Sequence, residues 1–206
     1  MLPRLLIATA NAHKTGEFRA ILAGIATVDD LSTHPGLPQA EESGSTFEEN
    51  SAIKAVAAAR ATGLFALADD SGLEVDALAG APGVLSARFA GPDANDADNR
   101  RHLLAELHAR NTPPLPSARF RCVLTLASPD GTVLGCWSGH VDGHLLDQER
   151  GDGGFGYDPL FVPTGFASTF AEMPGTTKNQ LSHRARAAAA FVAACQRGEL
   201  PALTNP

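Results

Sequence analysis

Residues 66–78 read ALADDSGLEVDAL, in which two adjacent aspartates directly follow a short apolar run. An apolar run of this length is typical of a buried strand, so Asp69 and Asp70 are predicted at the junction where that strand ends and a loop begins. Neighbouring carboxylates repel each other, and holding them together is costly unless positive charge lies beside them. The fold must therefore bring cations from other parts of the chain to this strand end.

The length of the chain and the order of its predicted strands and helices indicate a single α/β domain over residues 1–206, which can contain two lobes. A chain of 206 residues is long enough to bury one sizeable core. Apolar runs predict strands at 5–9 and 64–70, and period-two alternation on both sides of residues 129–131 predicts a long β-hairpin. Apolar spacing and capping signals predict helices at 13–22, 45–60, 99–110 and 182–197.

Three local signals place helix ends. The stretch Ser45–Glu48 has the pattern of a capping box and opens the second helix, and Gly63 follows its end. Ser182 is the predicted N-cap of the last helix.

Composition limits the classes of partner that the chain can bind. The formal net charge is −7, whereas proteins that grip a nucleic-acid backbone carry a surplus of Lys and Arg. No stretch approaches the roughly 18 apolar residues of a membrane span, and the opening apolar run is too short for a secretory signal. The three cysteines form no C-x-x-C motif and predict reduced thiols. We therefore expect a cytoplasmic protein that binds neither nucleic acid nor membrane.

Two motifs suggest familiar sites that their context does not support. Residues 151–156, GDGGFG, match the dinucleotide fingerprint G-x-G-x-x-G, but an apolar run follows instead of the required helix. A glycine-lined wall beside a flat ligand and an ordinary turn-rich loop both remain open. His140 and His144 have a helical metal spacing, yet Gly139 and Gly143 predict extended or turn structure and solvent-facing side chains.

Acidic residues from two segments offer a set of hard oxygen ligands. Glu41 and Glu42 lie in a proline-containing loop, and Asp69 and Asp70 follow the predicted strand. Oxygen ligands without paired His or Cys favour Mg²⁺ or Mn²⁺. The alternatives are a solvated loop for the glutamates and a turn with a helix cap for the aspartates.

Three cations are spaced as if they served a common ligand. Lys14 follows the first strand, Lys178 lies in a predicted loop, and Arg184 is at the start of the last helix, where backbone N–H groups favour anions. Each one alone is more often a surface charge. Together with a divalent cation, they predict a polyphosphate pocket.

The chain resembles the inosine triphosphate pyrophosphatases, which hydrolyse non-standard purine nucleoside triphosphates. The resemblance rests on six stretches, in order along most of the chain: TANAHKTGEF, EESGSTFEENSAIKA, ALADDSGLEVDAL, GAPGVLSARFAG, GGFGYDPLF and TKNQLSHRARA. It implies an elongated, two-lobed α/β fold with a long central mixed sheet flanked by helices and an active-site cleft between the lobes. It also implies a homodimer and a requirement for Mg²⁺, for which Mn²⁺ can substitute.

The resemblance also implies roles for individual residues. Asp70 is the expected general base and a metal ligand, and Glu41 is the second metal ligand. Lys54 falls where related enzymes can place a further phosphate-binding lysine. The implied substrate contacts are Thr9, Ala10, Asn11, Ala12, His13, Lys14, Ser71, Phe155, Gly156, Tyr157, Asp158, Lys178, His183 and Arg184. Ala10 and Leu85 depart from the usual family pattern, in which Gly or Ser and an aromatic residue are common.

These roles describe cleavage of a triphosphate to a nucleoside monophosphate and pyrophosphate. Asp70 would accept a proton from a water aimed at the α-phosphorus, while Lys14 and Lys178 would stabilise the departing pyrophosphate. Because arginine has only donors, Arg184 at the purine edge would favour a 6-oxo group over a 6-amino group. Two rival functions remain: a haloacid-dehalogenase-type phosphatase, whose D-x-D spacing is missing here, and a nucleotide sensor without catalysis.

Overall fold

The structure is a computed structural model that describes residues 4–37, 40–201 and 203. The strands in this part of the chain are β1 (Arg4–Ile7), β2 (Thr27–Asp30), β3 (Ala66–Val75), β4 (Ser117–Ala127), β5 (Val133–Leu145) and β6 (Phe161–Pro163). The α-helices are α1 (Ala12–Ile21), α2 (Phe47–Thr62), α3 (Asp96–Ala109), α4 (Gly175–Leu181) and α5 (His183–Gln196).

The strands form one six-stranded sheet in the order β2-β1-β3-β4-β5-β6. β1 runs parallel to β2 and to β3, whereas β6 runs antiparallel to β5. β4 and β5 are neighbours joined by a tight turn, in which the Ser128 N–H donates to the Thr132 carbonyl at 2.9 Å. The predicted α/β class with a mixed sheet is therefore confirmed.

Residue contacts divide the chain into two compact units. Unit 1 contains the described parts of 1–70, 122–139 and 184–206, and unit 2 contains 71–121 and 140–183. The single functional domain, the elongated shape and the cleft stay predictions. No helix in the described ranges is both long and apolar enough to cross a membrane.

In unit 1, helices cover both faces of β1 and of the start of β3. Leu5, Ile7 and Leu67 pack with Phe18 of α1 and Phe191 of α5. The residues between them in sequence pack on the opposite face with α2, and this second cluster contains Leu6, Ala8, Ala66, Ala68, Ala55, Ala58 and Ala59. Burial on both faces explains why these strands read as continuous apolar runs.

The core of unit 2 is richer in aromatic residues. Phe120 of β4 contacts the rings of Phe161 and Phe170, with ring centroids 4.8 and 5.9 Å away. Leu103 and Leu107 bring the apolar face of α3 into the same cluster. Tyr157 belongs to this cluster and joins the glycine-rich segment of residues 153–158 to the core.

Three predicted boundaries were wrong. β3 does not end at Asp70 but continues through the DDSG stretch to Val75, because each aspartate has a cationic partner inside the fold. Lys178 lies in the short helix α4 rather than in a loop. The capping box of α2 is made by Thr46 and Glu49, one residue later than predicted, whereas Gly63 does end the helix in a left-handed conformation.

Candidate active site

Asp69 and Asp70 lie on opposite faces of the sheet. Successive residues of a strand point to opposite sides, and β3 continues through both aspartates. Asp69 shares its face with Leu67, which packs against α1 and α5, and Asp70 shares its face with Ala68, which packs against α2. The expected repulsion between them is therefore relieved by two separate sets of cations.

Asp69, whose side chain is fully buried, is the centre of an ion-pair cluster in unit 1. Its Oδ1 atom accepts a hydrogen bond from Lys14 Nζ. Its Oδ2 atom accepts from Arg184 Nε at 3.0 Å and from the Cys122 thiol at 3.1 Å. Burial alone would raise the pKa of Asp69, but the charges of Arg184, Lys14 and Lys54 hold it well below the usual value. Asp69 is thus an ionised anchor and not a proton acceptor.

Arg184 extends the cluster to a second carboxylate. Its side chain is 1% exposed, and its Nη1 atom pairs with Glu17 of α1. The guanidinium carbon lies 5.8 Å from the ring centroid of Phe18. Burial opposes the charge of Arg184, but Asp69 and Glu17 outweigh it and raise its pKa. The result is an alternating chain of charges in the order Glu17, Arg184, Asp69, Lys14.

Asp70 has a different environment on the other face. Its Oδ1 atom accepts from Lys54 Nζ at 2.6 Å, and the same ammonium donates to Glu42 at 2.8 Å. Its Oδ2 atom is buried and has no hydrogen-bond partner among the described residues. Burial raises the pKa of Asp70, although the nearby Lys54 works against this shift. A buried carboxylate with a raised pKa and one unoccupied oxygen has the properties of a general base.

The two neighbouring glutamates are placed differently. Glu42 pairs with Lys54, whose ammonium also pairs with Asp70. Glu41 is exposed, and the contact shown for it is a backbone one, in which its carbonyl accepts from the Ser43 N–H at 3.0 Å. Glu41 as a metal ligand remains a prediction, and the geometry favours Glu42 for that position.

The loop before α1 is organised around Asn11. The Asn11 side chain caps the helix by accepting from the backbone N–H groups of His13 at 2.9 Å and Lys14 at 3.3 Å. The Thr9 hydroxyl in turn accepts from the Asn11 N–H at 3.1 Å. Residues 10–13 are exposed, whereas Lys14 is directed to the Asp69 carboxylate. The segment 9–14 thus places an ammonium beside the exposed start of a helix, which favours an anion.

In unit 2, Asp158 organises the glycine-rich segment. Asp158 Oδ2 accepts from the Phe155 N–H at 2.8 Å and from Lys178 Nζ at 2.6 Å. The Lys178 ammonium lies 4.8 Å from the Phe155 ring centroid. Gly154 has φ of +71°, and a Cβ atom there would lie 2.1 Å from Asp158 Oδ2. Residues 153–158 therefore form a wall that carries the Phe155 ring, and the buried Lys178 ammonium lies against it.

Three further hydrogen bonds fix this wall to neighbouring parts of unit 2. The Tyr157 hydroxyl donates to the Ser86 carbonyl at 2.9 Å, and burial raises the pKa of Tyr157. The Gly156 N–H donates to Asp96 at 2.6 Å, and its carbonyl accepts from Arg100 at 2.8 Å. Tyr157 and Gly156 thus hold the wall through their polar groups.

Two more predicted contacts also lie in unit 2. The His183 ring stacks on Phe120 with centroids 4.9 Å apart, and only 5% of His183 is exposed. Ser71 lies in β3 and is half-buried.

The predicted site residues therefore divide between the units. Asp70, Glu41, Lys54, Arg184 and the segment 9–14 belong to unit 1, and the remaining predicted contacts belong to unit 2. Sequence reasoning left Asp69 and Glu42 undecided and missed Glu17 and Cys122 altogether. Glu17 lies within the stretch TANAHKTGEF and Cys122 outside all six stretches, and no local signal marks either one, because each meets its partner only through the fold.

Comparison with known proteins identifies the family. A model of the Ham1 family matches residues 5–194. The chain belongs to the Ham1 family. Among curated relatives of this Ham1 protein, a dITP/XTP pyrophosphatase of Geobacter sulfurreducens is 49% identical over 91% of the chain and 94% of the relative. Another, from Methylococcus capsulatus, is 46% identical over 92% of the chain and 94% of the relative.

Solved structures agree with this assignment of the Ham1 protein. A HAM1 protein from Coxiella burnetii has a TM-score of 0.85 at 37% identity, covering 96% of this chain and all (100%) of that one. The Ham1 protein of Staphylococcus aureus has a TM-score of 0.81 at 38% identity, with the same coverage of 96% and 100%. The family resemblance stated from the sequence is confirmed.

Proposed function

We propose that this Ham1 protein hydrolyses non-standard purine nucleoside triphosphates to the nucleoside monophosphate and pyrophosphate. The substrates would be ITP, dITP, XTP and dXTP, and the enzyme would remove them from the nucleotide pool. Curated relatives that are 45–50% identical are dITP/XTP pyrophosphatases. The observation that carries the proposal is Asp70, a buried carboxylate with one oxygen bonded to Lys54 and the other without a partner in the described structure.

Asp70 would act as the general base. Its raised pKa makes it a better proton acceptor than an ordinary aspartate, and its Oδ2 atom can receive a hydrogen bond from water. Lys54 holds the other oxygen and so fixes the direction of the carboxylate. The attacked atom would be the α-phosphorus, since the products are the monophosphate and pyrophosphate.

The donor set fits a magnesium ion that is shared with substrate. No group of three acidic, His or Cys side chains in the described ranges could hold a metal alone. Mg²⁺ is commonly bound by one or two carboxylates together with phosphate oxygens. Asp70 and the pair Glu41–Glu42 would hold Mg²⁺ or Mn²⁺. When bound, the ion would neutralise phosphate charge and orient the triphosphate.

Lys14 would bind the triphosphate. Its side chain is 18% exposed, and an ammonium has three N–H donors, of which Asp69 takes one. The backbone N–H groups at the start of α1 lie beside it and add positive potential. Both features favour the phosphate chain of the substrate.

The wall of unit 2 would recognise the purine. Phe155 offers a flat apolar surface, and Lys178 is held against it by Asp158. These contacts favour the base, rather than the pyrophosphate predicted earlier, as the partner of Lys178. An ammonium has only donors, so it accepts a 6-oxo purine and opposes the 6-amino group of adenine. A site that leaves a buried polar group unpaired can reject the wrong substrate by about 10⁴-fold.

The family resemblance and the charge of the chain support the remaining proposals. We propose that the protein forms a homodimer, works in the cytoplasm and binds neither nucleic acid nor membrane.

A substrate panel with product identification tests the function. We expect ITP and XTP to yield pyrophosphate in the presence of Mg²⁺, ATP to react poorly, and Asp70→Asn to lose activity by about 10²- to 10⁴-fold, the contribution typical of a general base. Release of inorganic phosphate first would favour the phosphatase alternative. Tight binding of ITP without turnover would favour a nucleotide sensor.

A further inference from the structure

Two charged side chains of α3 hold the backbone of Gly156 from both sides. The Gly156 N–H donates to Asp96 Oδ2 at 2.6 Å, and the Gly156 carbonyl accepts from Arg100 Nη1 at 2.8 Å. Asp96 and Arg100 are four residues apart in α3, a spacing that brings side chains to one face of a helix. Hydrogen bonds to charged groups are stronger than those between neutral groups. One helix face therefore fixes both polar backbone groups of a single residue.

Arg100 is itself held in place. Its Nε atom lies 2.9 Å from Glu149 Oε1, and its side chain is only 14% exposed. An arginine whose planar guanidinium is paired with a carboxylate keeps a defined orientation. The contacts therefore run from Glu149 through Arg100 to the Gly156 carbonyl, and all three residues belong to unit 2.

Gly156 lies at the centre of the turn that presents the Phe155 ring. The Asp158 N–H donates to the Phe155 carbonyl at 3.2 Å, and Gly156 has φ of +61°, a conformation that suits glycine. The Asp158 carboxylate holds the N–H of Phe155, but it makes no hydrogen bond that is shown to the Gly156 backbone. The contacts from α3 supply the restraint on the other side of the ring.

We propose that Asp96 and Arg100 are positioning residues for the nucleoside end of the substrate and act by holding the turn that carries Phe155. This inference rests on the proposed function, in which the Phe155 wall receives the purine. A turn that is already ordered gives up less conformational freedom when a ligand binds. Loosening the contacts from α3 therefore weakens binding of ligands that have a base and spares phosphate ligands that have none.

Two probes separate the ends of the site. Inosine monophosphate (IMP) carries a base, whereas inorganic pyrophosphate has phosphate groups alone. We would measure both dissociation constants with Mg²⁺ by calorimetry for wild type, Arg100→Met and Asp96→Ala. Arg101 is exposed on the same helix and pairs with Asp98, so Arg101→Met is the matched control. Circular dichroism and melting curves establish that each variant is folded.

Arg100→Met removes the donor to the Gly156 carbonyl and keeps a long apolar side chain. We expect it to weaken IMP binding about tenfold, the cost of ordering one or two side chains on binding, and to leave pyrophosphate binding within about twofold of wild type. The KM for ITP should rise with little change in kcat, because Asp70 and Lys54 belong to unit 1. Arg100→Lys keeps one donor within reach of the carbonyl and should recover part of the IMP affinity. Arg101→Met should bind both probes like wild type.

A double-mutant cycle tests whether the two side chains act together. Both hold one residue, so Asp96→Ala should weaken IMP binding less in the Arg100→Met background than in wild type. Full additivity of the two substitutions would show that they act independently and would overturn the proposal.

Two other results would also overturn it. A folded Arg100→Met variant with wild-type IMP affinity would show that the contact only stabilises the fold, and equal losses for IMP and pyrophosphate would show an effect that is not confined to the nucleoside end. Should Arg100→Met not fold, unchanged IMP affinity in Asp96→Ala refutes the proposal in its place. Wild-type protein that binds both probes but does not cleave ITP would refute the proposed function alone.

Discussion

Replacing each of the two adjacent aspartates by asparagine should change stability in opposite directions. The substitutions Asp69→Asn and Asp70→Asn both exchange a carboxylate for an amide of the same shape. The fold lowers the pKa of Asp69 well below its usual value, so its ionised form stabilises the native state. The fold raises the pKa of Asp70, so its ionised form is disfavoured by folding and a neutral side chain is tolerated.

The magnitudes follow from the partners that each substitution leaves behind. Removing one member of a buried ion pair costs about 3–5 kcal/mol, because the other charge stays buried without compensation. We expect about 3 kcal/mol for Asp69→Asn, since Arg184 keeps Glu17 and Lys14 can turn to water. For Asp70→Asn, Lys54 keeps Glu42, and we expect a change of less than about 1 kcal/mol, in the stabilising direction.

Thermal unfolding followed by circular dichroism near neutral pH measures the difference. In a chain of this size 1 kcal/mol shifts the melting temperature by about 2–4 °C, so Asp69→Asn should melt about 6–12 °C below wild type. A lowered folded pKa gives stability that is present above the unfolded value of about 3.9 and is lost below it. The gap between wild type and Asp69→Asn should therefore stay constant down to about pH 4 and shrink in more acidic solution.

The reasoning would be refuted by equal melting temperatures for the two variants, or by a larger loss in Asp70→Asn. Either result would mean that the cations around Asp69 stabilise its ionised form no more than Lys54 stabilises that of Asp70.

Three further outcomes are expected. Lys178→Met should lower the ratio of kcat/KM for ITP to that for ATP by about tenfold or more, mainly through the ITP reaction, because a charged donor to the base is lost. Gly154→Ala should raise the KM for ITP and lower the melting temperature, since its Cβ atom would lie 2.1 Å from Asp158 Oδ2 at a φ of +71°. The kcat/KM for ITP should fall in acid at a pH above that of an ordinary aspartate, because Asp70 must be ionised and its pKa is raised.

Each of these outcomes has a result that contradicts it. An unchanged ITP to ATP ratio in a folded Lys178→Met variant would remove Lys178 from base recognition. Wild-type kinetics in the Gly154→Ala variant would show that residues 153–158 can shift without loss of activity toward ITP. A kcat/KM that stays flat down to about pH 4 would exclude a base with a raised pKa.

Local sequence determined several elements of this protein and its family resemblance. The apolar runs of β1 and β3 predict buried strands. The prediction holds because helices cover both faces of these strands. Gly63 ends α2 because its positive φ suits glycine, and α5 begins directly after the predicted cap Ser182. The six motifs sufficed for the family resemblance, since they fix residue types at nearly every position of the candidate site.

The tertiary structure alone decided how those residues are paired. The Arg184 guanidinium meets Asp69 across 115 positions of sequence and Glu17 across 167. No local pattern marks partners at such separations, because they are brought together by the packing of α1 and α5 on one face of the sheet. The prediction that β3 ends at Asp70 was wrong for the same reason, because the strand depends on partners that are distant in sequence. Two charges normally terminate a buried strand. Here the alternation of side chains along β3 places the two carboxylates on opposite faces, and cations from α1, α2 and α5 offset their charges so that the strand continues.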